Sequence, residues 1–150
     1  MMISRGEIRF NCCESTLMRI DEARRLPGLD VNVMRIASNF GGGVAGWGGV
    51  CGAVSGAAMA LGLVYGTSGD EAEKGFSEKR KQMRALTQEL MKAFEEEWSQ
   101  VNCHGLLGCN TRTPEGKAKY DEMKAKGLLH CDEYVKWAER KALELMSIKQ

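Results

Sequence analysis

Six cysteines are the residues of this chain with the clearest capacity for chemistry, and Cys51 occupies the most distinctive position among them. It follows the glycine-rich segment 41–49 and opens the segment 51–56, CGAVSG, where a helix is expected to begin. Unpaired backbone N–H groups and the positive end of a helix dipole favour a thiolate at such a position. We therefore expect Cys51 to be an anionic metal ligand or a nucleophile toward a disulfide.

Three further cysteines lie at predicted helix boundaries. Cys12 precedes the first predicted helix, Cys103 follows the longest one and Cys131 stands at the start of the last. Because helix ends can meet at one pole of a bundle, four thiolates could converge on an iron–sulfur centre or on zinc, both of which accept four sulfur ligands. No Cys-x-x-Cys pair occurs, so the usual zinc-ribbon and redox spacings are absent. The alternative that these cysteines are small buried hydrophobic residues stays open.

The elements that must position these thiols are helices. Apolar residues recur with a helical period along nearly the whole chain, which predicts an all-α fold, with residues 1–150 forming one domain and a bundle of about four to five helices. The Gly/Ala-rich segment 50–65 is predicted to be a buried central helix, because small residues let neighbouring helices approach closely. The other predicted helical segments are 15–25, 33–40, 70–98, 114–126 and 132–148. No strand pattern of useful length is present.

Composition and charge exclude several classes of function. With 150 residues and 43% hydrophobic content, the chain can bury a core without disulfides. A net charge of +1 provides no basic field for nucleic acid. The segment 36–69 carries no charge, but its continuous helical part is shorter than the ~20 residues that a bilayer requires, so we expect no membrane span.

The first ten residues contain Arg5, Glu7 and Arg9 and lack the apolar core of a secretory signal. We therefore expect a cytoplasmic protein, whose cysteines are ligands or reactive thiols rather than disulfides. In the last helix, Trp137 and Met146 are predicted to be exposed, which makes packing against a second copy, a homodimer, an option.

Two other motifs are weaker. Residues 41–46 satisfy G-x-G-x-x-G, but no strand precedes them, so a dinucleotide site is not expected. The pair Cys103-His104 lacks the second thiol of a c-type haem site, since Gln100 stands three positions before Cys103. His104 and His130 are interpreted as surface histidines rather than ligands.

Several short segments together resemble a known family, the redox-active proteins named for a C-GCAxxG-C-C cysteine pattern. The resemblance covers nearly the whole domain, and its most specific part is segment 51–56 together with the glycine-rich segment that precedes it. The matching segments are FNC at 10–12, FGGG at 40–43, CGAVSG at 51–56, MALG at 59–62, VNCHGLLG at 101–108 and HC at 130–131.

The resemblance implies redox activity and assigns the four family cysteines to Cys12, Cys51, Cys103 and Cys131, with Cys13 and Cys109 as additions. Related segments occur in split-Soret cytochromes, where an iron–sulfur site accompanies haem. Because this chain lacks a haem-attachment motif, only the iron–sulfur part could transfer.

The resulting hypothesis is a small redox protein that holds an iron–sulfur cluster through these four cysteines and exchanges electrons with an unidentified donor or acceptor. Two alternatives remain: a metal-free thiol–disulfide protein, and a non-catalytic helical protein with structural zinc.

Overall fold

The computed structural model describes residues 2–148 and confirms the all-α class. Within this range there are seven helices and one hairpin of two-residue strands. Seven exceeds the four or five helices expected, partly because α2 and α5 are short segments. The helices are α1 (Cys12–Ala23), α2 (Val31–Ala37), α3 (Gly52–Tyr65), α4 (Glu73–Trp98), α5 (Cys103–Leu107), α6 (Pro114–Ala125) and α7 (Cys131–Ile148). The strands β1 (Ser4–Arg5) and β2 (Ile8–Arg9) pair antiparallel.

Local capping explains where the first helix begins. The Asn11 side chain accepts a hydrogen bond from Glu14 N, and the Glu14 carboxylate accepts one from Asn11 N, each at 2.9 Å. This reciprocal pair satisfies two N–H groups that a helix start otherwise leaves unpaired. Consequently α1 begins at Cys12, three residues before the predicted start, and Cys12 becomes part of a helix.

Helix α3 forms the centre of the molecule, as predicted. Seven of its residues are buried, and α1, α4 and α7 pack around it. Its contact with α1 is especially close: a Cβ atom on Gly56 would lie 2.6 Å from the Cys13 carbonyl oxygen and 3.0 Å from Thr16 Cβ. Glycine therefore sets the separation between the two helices.

Helix α7 lies deeper than the sequence indicated. Trp137 is 8% exposed and Met146 is fully buried, so the prediction that both are exposed is wrong. Phe94 of α4 stacks edge-on against Trp137 at 5.3 Å, because α7 packs against α1, α3 and α4 together rather than lying at the surface. These two residues are thus unavailable for a contact with a second copy. Among residues 2–148, no helix combines the length and apolarity needed to cross a membrane.

Candidate thiol site

Four helix starts supply the four cysteines singled out in the sequence. Cys12, Cys103 and Cys131 are the first residues of α1, α5 and α7, and Cys51 is the residue immediately before α3. Three of these helices are long, with 12, 14 and 18 residues. The positive ends of their dipoles therefore adjoin the place where the sulfur atoms meet.

The four side chains line one small internal cavity of about 20 Å³. This is close to the space that a single water molecule requires. The remaining wall is mostly apolar, since it consists of Gly52, Leu106, Leu107 and Tyr134. The structure thus brings together residues that lie as far apart in sequence as positions 12 and 131.

Backbone hydrogen bonds join the segments that carry Cys51 and Cys103. Cys51 N donates to Val101 O at 2.7 Å, and Cys103 N donates to Gly49 O at 2.7 Å. Val50 and Asn102 form an isolated antiparallel bridge between these two bonds. The glycine-rich segment before Cys51 therefore fixes the two thiols relative to each other.

That glycine-rich segment folds into a compact left-handed turn. All five residues from Gly42 to Gly46 have positive φ, including Val44 at 65° and Ala45 at 49°. Left-handed backbone is costly for a β-branched residue such as valine. The segment is thus a loop, as expected.

Gly52 allows α3 to reach the sulfur of Cys12. A Cβ atom at this position would overlap Cys12 Sγ and would lie 3.1 Å from Phe40 O. A larger residue at position 52 would displace the thiol, so glycine is needed for the cavity as well as for helix packing.

Burial dominates the electrostatics of the metal-free site. It raises the pKa of Cys51 and of Cys131 to about 12 and that of Cys103 to about 11, and the neighbouring Cys12 adds to all three increases. The nearby backbone N–H groups of Ala53 and Val54 lower the pKa of Cys51, as expected at a helix start, but by less than burial raises it.

In the metal-free protein, burial therefore outweighs the helix start at Cys51, because the loss of solvation destabilises the thiolate more than the backbone N–H groups stabilise it. A bound cation would supply the missing positive charge.

The donor set, four thiols in an apolar pocket, suits tetrahedral sulfur ligation. In the described part of the chain, however, no three Cys, His, Asp or Glu side chains stand at metal-ligating spacing. Metal binding would thus require the sulfur atoms to shift, and the small cavity would have to widen for anything larger than a single ion.

The two additional cysteines lie outside this cavity. Cys13 is fully buried, and its thiol donates to the sulfur of Met59 at 3.6 Å. Cys109 is half-buried beyond α5, near enough to Cys103 to contribute to the raised pKa of that thiol. Neither residue lines the thiol cavity.

The histidines differ from each other. His130 is exposed and lies 3.6 Å from the Glu133 carboxylate, in agreement with a surface role. His104 is half-buried instead: its Nε2 lies 2.9 Å from Thr111 Oγ1, and its ring packs against Gly48. Neither lines the thiol cavity.

Helix α5 and the apolar residues that line the cavity are not predicted from the sequence. The five residues of α5 are too few to show a helical period. The available signal was the pair Leu106 and Leu107 directly after Cys103, which indicated a buried segment. Tyr134 follows Cys131 by three residues, and that spacing places both on one face of a helix.

Comparison with known proteins places these residues in a family. A family model described as "Putative redox-active protein (C_GCAxxG_C_C)" matches residues 10–145 and so includes all four cavity cysteines. No curated protein and no solved structure matches the chain.

Proposed function

Because the chain belongs to the C_GCAxxG_C_C family of redox-active proteins, we propose that it transfers electrons through an iron–sulfur centre held by Cys12, Cys51, Cys103 and Cys131. The single observation that carries this proposal is the cavity lined by these four thiols. Nothing in the described core requires a disulfide, and the six cysteines are free, which suits a reducing compartment such as the cytoplasm.

The chain's own residues would stabilise and shield the bound group. The backbone N–H groups of Ala53 and Val54 lower the pKa of Cys51, and donors near a ligating sulfur tune the potential of thiolate-bound iron. Leu106 and Leu107 exclude water on one side of the cavity. When bound, an iron–sulfur centre supplies a one-electron couple.

A metal-free thiol–disulfide function is less well supported. The thiolate is the attacking species in disulfide exchange, whereas burial raises the pKa of Cys51 and Cys131 to about 12. Structural zinc uses the same four donors, so geometry alone does not separate it from iron. Metal identity is therefore the decisive measurement.

The test is anaerobic purification followed by iron, sulfide and zinc analysis and a visible spectrum. Brown protein containing iron and sulfide supports the proposal. Colourless protein with zinc indicates a structural site, and metal-free protein whose thiols disappear on mild oxidation indicates disulfide chemistry.

A matched pair of variants tests the ligand set. Cys51→Ser removes a thiol of the cavity, whereas Cys109→Ser removes one outside it. We expect Cys51→Ser to lower the metal content far more than Cys109→Ser. Equal losses in the two variants would contradict the assignment.

A further inference from the structure

A second cavity adjoins the thiol cavity on its outer side. It has a volume of about 410 Å³, and its wall includes Cys131, Tyr120 of α6 and the cations Arg9 and Lys124. Cys131 lines both cavities. The outer cavity therefore reaches one of the four thiols, that of Cys131, and Tyr120 and Lys124 of α6 form one of its sides.

Helix α6 is weakly anchored to the rest of the molecule. Gly116 is its only buried residue, Tyr120 and Met123 are half-buried, and the other positions are exposed. Its two ion pairs join residues four apart: Lys117 with Asp121 inside the helix, and Glu122 with the C-cap residue Lys126. Elements that bury so little apolar surface open most readily.

Tyr120 is the residue of α6 that reaches the site. Burial raises the pKa of its phenol, and the nearby thiols of Cys131, Cys103 and Cys12 raise it further. The same three cysteines are partly exposed, in contrast to the buried Cys51. Tyr120 also lines the outer cavity together with Cys131, so it lies beside the accessible side of the thiol group.

Glycines bound the segment that contains α6. Gly108 and Gly127 flank it with φ values of 73° and 67°, and a Cβ atom built on either would meet no other atom within 4 Å. Both positions have a backbone conformation suited to glycine and open space around them, so small rotations there would move the intervening residues as a unit.

Two contacts near the start of this segment hold it to the glycine-rich loop. Thr111 Oγ1 donates to Gly46 O at 3.4 Å and lies 2.9 Å from His104 Nε2. The Arg112 guanidinium lies 3.8 Å from the centroid of the Trp47 ring, which is 66% exposed. Core packing does not explain the Arg112–Trp47 contact, because the Trp47 indole is exposed.

We propose that residues 109–126 form a lid over the thiol cavity, with Tyr120 closing the entrance and the Arg112–Trp47 contact acting as its latch. This inference rests on the proposed binding of a metal by the four thiols and identifies how that metal enters and leaves. The cavity of about 20 Å³ has room for one ion at most.

The test measures the release of Co²⁺, used as the probe, from the loaded protein to an excess of EDTA, followed by loss of visible absorption. Arg112→Gln removes the latch, and we expect it to speed release roughly two- to fivefold, the change that loss of one exposed cation–π contact produces. Arg80→Gln is the matched control, because Arg80 lies 4.3 Å from the Phe76 ring centroid on α4, away from the site. Equal release rates for Arg112→Gln and the wild type would overturn the latch.

Amide hydrogen exchange of the metal-free protein tests the lid independently. We expect the amides of α6 to exchange much faster than those of α1 and α3 under the same conditions. Exchange in α6 as slow as in α3 would overturn the lid. Cobalt binding without iron uptake would refute only the iron–sulfur proposal, whereas a wild type that binds no cobalt would refute the shared ligand set and the lid's role with it.

Discussion

The close contact between α1 and α3 leads to a sharp prediction for stability. In Gly56→Ala, the new methyl group would lie 2.6 Å from the Cys13 carbonyl oxygen and 3.3 Å from Cys13 Cα. Backbone atoms cannot rotate away as a side chain does, so the two helices must separate. Overpacking of this kind costs about 1–3 kcal/mol, and we expect the variant to lose that much free energy of unfolding.

Gly62→Ala is the matched control in the same helix. A Cβ atom at Gly62 would meet no atom outside its own helix turn within 4 Å. The methyl group then only removes the entropic penalty of a helical glycine, so we expect a gain of about 0.5–1 kcal/mol. The two substitutions are chemically identical and should act in opposite directions.

Equilibrium urea denaturation, followed by circular dichroism, measures both effects. In a protein of this size, 1 kcal/mol corresponds to roughly 2–4 °C in Tm, so thermal melts provide a second readout. The reasoning is refuted if Gly56→Ala is as stable as the wild type, or if both variants are destabilised to the same extent.

Three further predictions concern the site and its loop. Gly52→Ala should lower metal uptake, because the new methyl group would displace Cys12 Sγ. Metal analysis of the folded variant measures this effect, and normal uptake would contradict it. In the metal-free protein at pH 7, Cys51 should react with iodoacetamide about a thousandfold more slowly than a thiol with a pKa of 9.0, because the raised pKa of Cys51 keeps this thiol protonated. The reaction rate should therefore rise with pH. Urea should abolish that protection, as mass spectrometry of labelled peptides would reveal. Val44→Gly should stabilise the protein by about 1 kcal/mol, because valine at φ 65° is strained; an unchanged or lower urea midpoint would contradict this.

Local sequence signals predicted much of the helical architecture. Thr113 and Pro114 mark the start of α6 as expected, and the Thr113 hydroxyl accepts a hydrogen bond from Gly116 N at 3.0 Å. The start of α1 was placed too late, because the signal was a reciprocal pair between Asn11 and Glu14 rather than a hydrophobic period. Helix interiors are therefore easier to predict than their ends.

Tertiary packing explains what periodicity did not predict. Trp137 and Met146 are predicted to be exposed, yet both are buried because α7 packs against α1, α3 and α4. The raised pKa of Cys51 has the same origin: a sequence shows the helix start but not the depth of burial around it. The predicted helix boundaries indicated that the four cysteine thiols could lie together. The apolar residues that line their cavity are identified only in the three-dimensional structure.

The order in which the cavity cysteines occur along the chain has a consequence for biosynthesis. Cys12 and Cys131 line one cavity but are separated by 119 positions (131 − 12). At ~5–20 residues per second, a ribosome releases the first of them roughly 6–24 s before the last. During this interval the early thiols lack their final neighbours, so the cavity that the four side chains line can form only after synthesis has passed the start of α7.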